Sequence, residues 1–551
     1  MNTENIQIEY GTFLPDQRVD RPIVDPRPPC RAASRRNTPQ MPCAGLAKVA
    51  LHRQGAPSSV PFPPSFAPAR CLWSVTETMG STDVLGRVTD GVARGVEEAI
   101  AQVSGAFFEP VVRLGVTGLS RAGKTVFITS LVANLMDRAR MPQLRAGPRI
   151  EAAFLQPQPD VTLPRFDYEA HLAALTGPAP HWPASTRAVS ELRISIRVRP
   201  GRFFAALRGP RTVHVDIIDY PGEWLLDLAM LEQSYADWSE AALDRASRRT
   251  QAQAFMALAR AEDGALRLDE ARAQMLAAGW TRYLHEARRA GWSDCTPGRF
   301  LLPGDLAGTP VLTFAPLPLP AITPRNSLWR EMERRYDGYL AKVVKPFFRN
   351  HFSRIDRQIV LMDVLGAVHA GPAVFDDLRR TMADILTAFR PGSNGFLASV
   401  LGMRRVDRIL FAATKADHLH HVEHPRLTAL TEAMLREARN RAAFAGAEVS
   451  AMSIAALRTT TEEMRDHDGQ SLPMVRGTLS DGRQAALYAG ALPEDPSRLL
   501  VPARDGAATW LDGDYGLMTF APAPLALKPG EGPPHIRLDR ATEFLLGDRL
   551  S

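Results

Sequence analysis

The sequence predicts an α/β chain: a doubly wound, mostly parallel sheet, a large helical insertion and a C-terminal β-rich addition. Three observations predict it. Short apolar, β-branched runs recur near 111–116 and 213–218 and within 357–366 and 406–419, as in strands buried on both faces. Segments of helical period separate those runs, the alternation that builds parallel sheets. The first run opens directly into a glycine-rich turn and then a helix, "RLGVTGLSRAGKTVFITSLVANLM" at 113–136. At 551 residues the chain holds core for roughly two to four domains.

Taken in order, residues 1–78 hold twelve prolines, scattered arginines and no sustained periodicity. Such a stretch cannot bury enough surface to fold alone. We read it as a disordered extension. A basic tail with a binding role and a true translation start at Met79 stand beside that reading. From there "VLGRVTDGVARGVEEAIAQVSGAFF" reads as an amphipathic lead helix. Val111, Val112, Leu114 and Val116 form the first strand. Val126, Phe127, Leu131, Leu135 and Met136 recur at helical spacing behind the turn, and Pro142 closes that helix. "RTVHVDIIDYPGEW" (211–224) supplies a second strand and completes the first part of the core, 79–223.

Residues 224–324 read as the insertion, a proline-free helical region to about 292 followed by the connector "TPVLTFAPLPLPAITP". Its charges mark solvated faces. Residues 325–470 return to the core, with strands at "RQIVLMDVLG", "VDRILFAATKADHL" and "GAEVSAMSIAAL" and helices between them. Residues 471–551 form the β-rich addition and a final helix, "LDRATEFLLGDRL". No internal repeat is visible.

Composition excludes several classes. Nine Lys/Arg against five Asp/Glu fall in the first 70 residues, so most of the net charge of +6 lies there. The body has no strong basic face, and nucleic acid is not an expected partner. Beyond Cys30, Cys43 and Cys71 only Cys295 remains, which excludes an internal disulfide in the body and suits a reducing cytoplasm. No stretch is long enough to span a membrane, and the N-terminus lacks a secretory core, so a cytoplasmic location is expected. Only six lysines occur among 66 basic residues: Lys48, Lys124, Lys342, Lys345, Lys415 and Lys528. A chain so biased to arginine keeps lysine where a planar guanidinium is too large, as between phosphates.

Gly118 to Thr125 fits G-x-x-x-x-G-K-[ST] in the strand–loop–helix context that motif requires. Gly118, Ser120, Arg121, Ala122, Gly123, Lys124, Thr125 and Val126 then form an anion cradle at a helix N-terminus. Lys124 would reach the β/γ-phosphates, and the Thr125 hydroxyl would bind Mg²⁺. Asp219-Tyr220-Pro221-Gly222 ends the second strand, where Asp219 can hold a metal-bound water and the Gly222 N–H can meet a γ-phosphate. Asp216 is the runner-up for the metal role. Thr414-Lys415-Ala416-Asp417 has the T-K-x-D form of a guanine-recognition loop: Asp417 accepts from the ring N–H and exocyclic amine, and the Lys415 stem covers the base. Losing such a paired group costs roughly 1–3 kcal/mol, enough to choose a base.

Softer signals complete the set. In "HWPASTRAVSEL" (181–192), where a switch loop belongs, Thr186 or Ser185 could add a hydroxyl to Mg²⁺ or serve as a helix cap. In "SIAAL" (453–457), Ala455 and Ala456 could offer N–H groups to the base oxygen or simply end a strand. His418, His420, His421 and His424 are expected in a solvated loop rather than on a metal.

Five blocks in order, "LGVTGLSRAGKTVFITSL", "HWPASTR", "DIIDYPGEW", "ATKAD" and "HIRLDRATEFLLGDRL", resemble the YcjX-like family of bacterial P-loop GTPases, a stress-associated group. The resemblance runs from about Met79 to the C-terminus. It implies a Ras-like core that binds GTP or GDP with Mg²⁺ and hydrolyses GTP. It also implies an inner-membrane partner protein, and hence peripheral membrane association. Arg121 sits where the guanylate-binding large GTPases carry an internal arginine finger. It could neutralise charge on the transferring phosphoryl group, or point outward into solvent. Glu223 stands where Ras-type enzymes carry a water-orienting glutamine, and a carboxylate there would repel a γ-phosphate. The expected catalytic set is therefore Arg121, Lys124 and Glu223. A nucleotide-dependent scaffold without hydrolysis and a P-loop ATPase are the competing readings.

Overall fold

β1 (Val111–Gly118) lies at the centre of a seven-stranded sheet in a computed structural model of the chain. The structure describes residues 109–119, 121–184, 188–200, 209–388, 406–444, 447–467, 469–511, 513 and 515–551. The expected N-terminal extension and lead helix, together with Ser120, Ser185 and Thr186, lie outside the described residues.

β4 (Arg211–Asp219) and β5 (Arg357–Met362) flank β1, both parallel to it. β6 (Arg408–Ala413) and β7 (Glu448–Ser453) extend the parallel run beyond β5. On the other side, β3 (Ser190–Val198) and β2 (Ile150–Gln156) are each antiparallel to their neighbour. This is the Ras-like P-loop arrangement with one further edge strand.

β2, β3 and the helix α2 (Tyr168–Thr176) between them were not anticipated from sequence. β2, "IEAAFLQ", has few β-branched residues. In β3 the buried Leu192, Ile194, Ile196 and Val198 alternate with Arg193, Ser195 and Arg197. That period-2 signal is the mark of an antiparallel strand, and it is easily lost behind the polar loop that precedes it.

The sheet is buried on both faces, and β5 shows how. Ile359 and Leu361 point into a core shared with α1 (Lys124–Met136) and the last helix; Val360 and Met362 point into the core of the other face. Every residue of β5 is buried, which accounts for its unbroken apolar reading.

Between β4 and β5 the chain is helical. α3 (Glu223–Leu226), α4 (Tyr235–Ser247), α5 (Gln253–Ala261) and α6 (Glu270–Arg289) break the expected long helical region into pieces. The breaks have local causes: Ser234 and Asp237 form a capping box at the start of α4, and Asp269 caps α6. α7 (Gly298–Leu301), α8 (Leu328–Tyr339) and α9 (Lys345–Asn350) continue the helical region past the proline-rich connector. Trp238, Trp280, Phe314 and Tyr336 form ring pairs at 5.2–6.3 Å that knit α4, α6, the connector and α8 together.

α10 (Val364–Ala370) and α11 (Pro372–Ala388) follow β5, and α12 (His424–Phe444) joins β6 to β7. The C-terminal part opens with a three-stranded antiparallel sheet of β8 (Thr460–His467), β9 (Gln470–Thr478) and β10 (Gln484–Leu487). α13 (Ser497–Arg504) and the expected final helix, α14 (Leu538–Leu550), complete the chain. α14 is tied under the sheet by ion pairs: Arg357 of β5, 2 % exposed, bonds Asp407 at 2.6 Å and Asp548 at 2.7 Å.

Candidate functional site

The glycine-rich turn runs from the end of β1 to the start of α1. Two residues in the left-handed region bend it, Arg121 at φ 64° and Gly123 at φ 80°. Gly123 takes that conformation without steric penalty, whereas at Arg121 it is uncommon and the turn must hold it. Gly118 has no room for a side chain, since a Cβ there would lie 2.7 Å from the Leu361 carbonyl oxygen. Lys124 folds back across the turn and donates from Nζ to the Gly118 carbonyl at 3.0 Å. Ala122 is buried under the turn, Val126 is half-buried, and Arg121 is exposed at its rim. Thr125 sits buried in the first turn of α1.

β4 delivers the second motif to the same place. Asp219, 1 % exposed, pairs in register with Val116 of β1. Tyr220 turns under the sheet, where its hydroxyl donates to Gln358 Oε1 at 2.7 Å. Gly222 lies directly against the phosphate loop; a Cβ there would sit 2.4 Å from the Gly118 carbonyl oxygen. Asp216 lies three residues short of the strand end. Its carboxylate is gripped by Arg193 of β3 at 2.5 and 2.8 Å, so the sheet takes up this runner-up ligand. Glu223 is buried, and its Oε1 meets Arg288 Nη2 of α6 at 2.8 Å. The carboxylate expected to repel a γ-phosphate is thus met by a cation of the insertion.

β6 carries the third motif to the same edge of the sheet. Leu361 of β5 pairs with Gly118, and Met362 pairs with Ala413 of β6. With strands about 4.8 Å apart, the Thr414–Asp417 loop opens roughly 10 Å from the Gly118–Thr125 turn. Lys415 adopts φ 61° and bonds Asp363, the residue that follows β5. The second oxygen of Asp363 caps α10 by accepting from Gly366 N at 2.9 Å. Thr414 donates its hydroxyl to the Met362 carbonyl at 3.1 Å. Asp417, 4 % exposed, is fixed through one oxygen: Oδ2 accepts from Thr459 N at 2.9 Å and from Thr459 Oγ1 at 2.7 Å. Sequence reasoning missed Asp363 and Thr459. A strand ending in Asp, "LMDVLG", was the available signal for the first; the second lies beyond any motif.

Two expectations need correction. The Ala455 N–H donates to the Ile536 carbonyl at 3.0 Å, because the segment before α14 bridges to it, so it is not available to a base. Ala456 stays as the candidate donor. The histidines, expected in solvent, are mostly buried: His418, His420 and His424 are under 9 % exposed. His424 Nε2 faces the carbonyls of Ala416 and Leu419 at 2.7 and 3.1 Å, so that nitrogen carries the proton and braces the loop. Burial holds its pKa below the ordinary histidine range. His418 packs edge-on against Phe520.

The donor set fits a nucleoside triphosphate with a hard divalent ion. A hydroxyl, Thr125, and a carboxylate, Asp219, flank a turn whose lysine, among the described residues, donates to the Gly118 carbonyl. The family model described as "YcjX-like family, DUF463" matches residues 112–550. The chain belongs to the YcjX-like family. Among its relatives, the Escherichia coli (strain K12) protein called Ras-like GTPase YcjX is 38 % identical over 456 residues, covering 80 % of this chain and 96 % of that one. The Shewanella oneidensis protein of the same name is 34 % identical over 470 residues, covering 80 % and 94 %. In this YcjX-like chain the match spans the sheet, the insertion and the C-terminal elements alike.

Proposed function

We propose that this chain is a Mg²⁺-dependent GTPase that turns over slowly and works as a switch. The observation that carries the reading is the convergence of three loops on one sheet edge, with Gly222 packed on Gly118 and Asp363 linking β5 to Lys415. The names of its relatives, Ras-like GTPases, support the same reading. Bound GTP would supply the transferable phosphoryl group, and Mg²⁺ would neutralise charge on its oxygens. The backbone of Gly118–Lys124 and the Lys124 ammonium would hold the phosphates. Thr125 and Asp219 would hold the ion, joined by Thr186. With Oδ2 held by Thr459, Asp417 Oδ1 would meet the guanine edge, and Lys415, steadied by Asp363, would lie along the base plane. Arg121 stands at the rim of the phosphate loop, from which a guanidinium can reach developing charge.

A second reading is favoured by the Glu223–Arg288 pair. With the residue after Gly222 held by the insertion, little orients an attacking water, and the chain would serve as a nucleotide-dependent scaffold. The stress-response role and inner-membrane partner implied by the resemblance belong to the proposal as well. No helix among the described residues is long and apolar enough to cross a membrane. Competition binding with GTP, GDP and ATP, followed by single-turnover hydrolysis, tests the whole. Tight GTP and GDP binding with weak ATP binding is expected; equal affinity for ATP would defeat the guanine assignment, and zero turnover would leave the scaffold.

A further inference from the structure

We propose that His420, His421 and Glu462 form a zinc site that staples the loop after Asp417 to strand β8. Among the described residues these three offer ligand atoms that all lie within 4.8 Å of one another. The two imidazoles converge on a single oxygen: Glu462 Oε2 lies 2.6 Å from His421 Nδ1 and 4.0 Å from His420 Nε2. Tetrahedral Zn²⁺ with bonds near 2.0–2.2 Å needs its ligand atoms about 3.3 Å apart. Reaching that spacing means opening the 2.6 Å His421 contact and closing the 4.0 Å His420 contact by about 0.7 Å each, and the His421 side chain is 65 % exposed.

The surroundings favour a built site over a chance hydrogen bond. Arg458 Nη2 donates to the other oxygen, Glu462 Oε1, at 3.2 Å. That is the outer contact expected of a ligating carboxylate, since it fixes which oxygen faces the ion. His420 is 7 % exposed, and its ring stacks on His421 with centroids 4.4 Å apart. Two imidazoles, one carboxylate and a solvent position suit zinc. Ligation through Nε2 leaves the His420 ring proton on Nδ1 and gives up the 3.5 Å contact from Val422 N, a marginal bond.

The site lies where it can act on the nucleotide loop. Three residues before His420, Asp417 is bonded by Thr459 and Thr460, which lead into Glu462 on β8. An ion tying His420 and His421 to Glu462 would hold the same two segments together that position the Asp417 carboxylate.

The test is a zinc titration of the full chain against a chromophoric chelator, run in parallel on Glu462→Gln and His421→Ala. Because Cys30, Cys43 and Cys71 can also take zinc, the reading is the difference between parent and variant. The parent is expected to bind one more equivalent than either variant, or to bind it at least tenfold more tightly. Cobalt in that equivalent should give a tetrahedral absorption spectrum without a thiolate band. Arg458→Ala should weaken the same equivalent about 10-fold. Identical titrations for the parent and both variants, each shown folded by circular dichroism, would overturn the proposal. So would a cobalt spectrum carrying a thiolate band on every equivalent bound.

Discussion

Arg121 sits on the rim of the phosphate turn in a backbone conformation that arginine rarely takes. A turn that only needed flexibility would place glycine there, as it does at 123. The arginine's side chain is exposed. Arg121→Ala is expected to keep GTP affinity within a few-fold and to lower turnover by about 10³-fold or more, measured by single-turnover hydrolysis; unchanged turnover would return Arg121 to solvent. Asp417 poses the complementary case. Asp417→Asn should exchange guanine preference for xanthine, read by competition between GTP and XTP, because an amide reverses one hydrogen-bond direction at the carboxylate. Gly222 is constrained by space rather than by φ. Gly222→Ala would push a methyl into the Gly118 carbonyl, 2.4 Å away, and should abolish GTP binding in equilibrium dialysis while the chain stays folded.

At the scale of elements, the short helix α3 after Gly222 is welded to the insertion. Glu223 pairs with Arg288 of α6 at 2.8 Å, and Arg299 of α7 lies over the Trp224 ring, 3.2 Å from its centroid. Gly298 packs so tightly that a Cβ would lie 2.1 Å from the Glu223 carbonyl oxygen. Gly222 is therefore tied through α3 to both α6 and α7. Arg288→Ala strands the buried Glu223 carboxylate and should destabilise the chain by about 3 kcal/mol, measured as a shift in urea midpoint. The paired change Arg288→Met with Glu223→Gln should recover most of that loss. If the single change proved silent, the weld would not be energetic. None of these contacts was legible in sequence: α6 read as a charged, solvated helix, and only the fold brings Arg288 to a residue 65 positions earlier.

The whole molecule carries a pH dependence in the same region. Asp227 is buried between Tyr339, whose hydroxyl donates to it at 2.5 Å, and the Gly298 N–H at 2.7 Å. Burial pushes its pKa up to about 7, against opposing hydrogen bonds from Tyr339 and Gly298 and the charge of Arg299. In the folded chain this group binds its proton more tightly than in the unfolded chain. Its contribution is therefore complete below the ordinary aspartate pKa near 3.9 and fades as pH rises toward and through about 7. The thermal midpoint should fall as pH rises from 5 to 8, and Asp227→Asn should flatten that slope. An equal slope in both chains would exclude Asp227 as its source.

The central parallel strands, the phosphate turn and the order of the three motifs follow from the sequence alone, because each rests on neighbouring residues. β1, β5 and β6 are apolar on both faces wherever they pack, and a glycine turn before a helix makes its anion cradle locally. The tertiary structure decided what no local pattern encodes. It gave Asp216 to Arg193 and Glu223 to Arg288, closed Ala455 with the segment before α14, and buried three histidines expected in water. In each case the deciding partner lies on another element, so burial and pairing were set by how the elements meet.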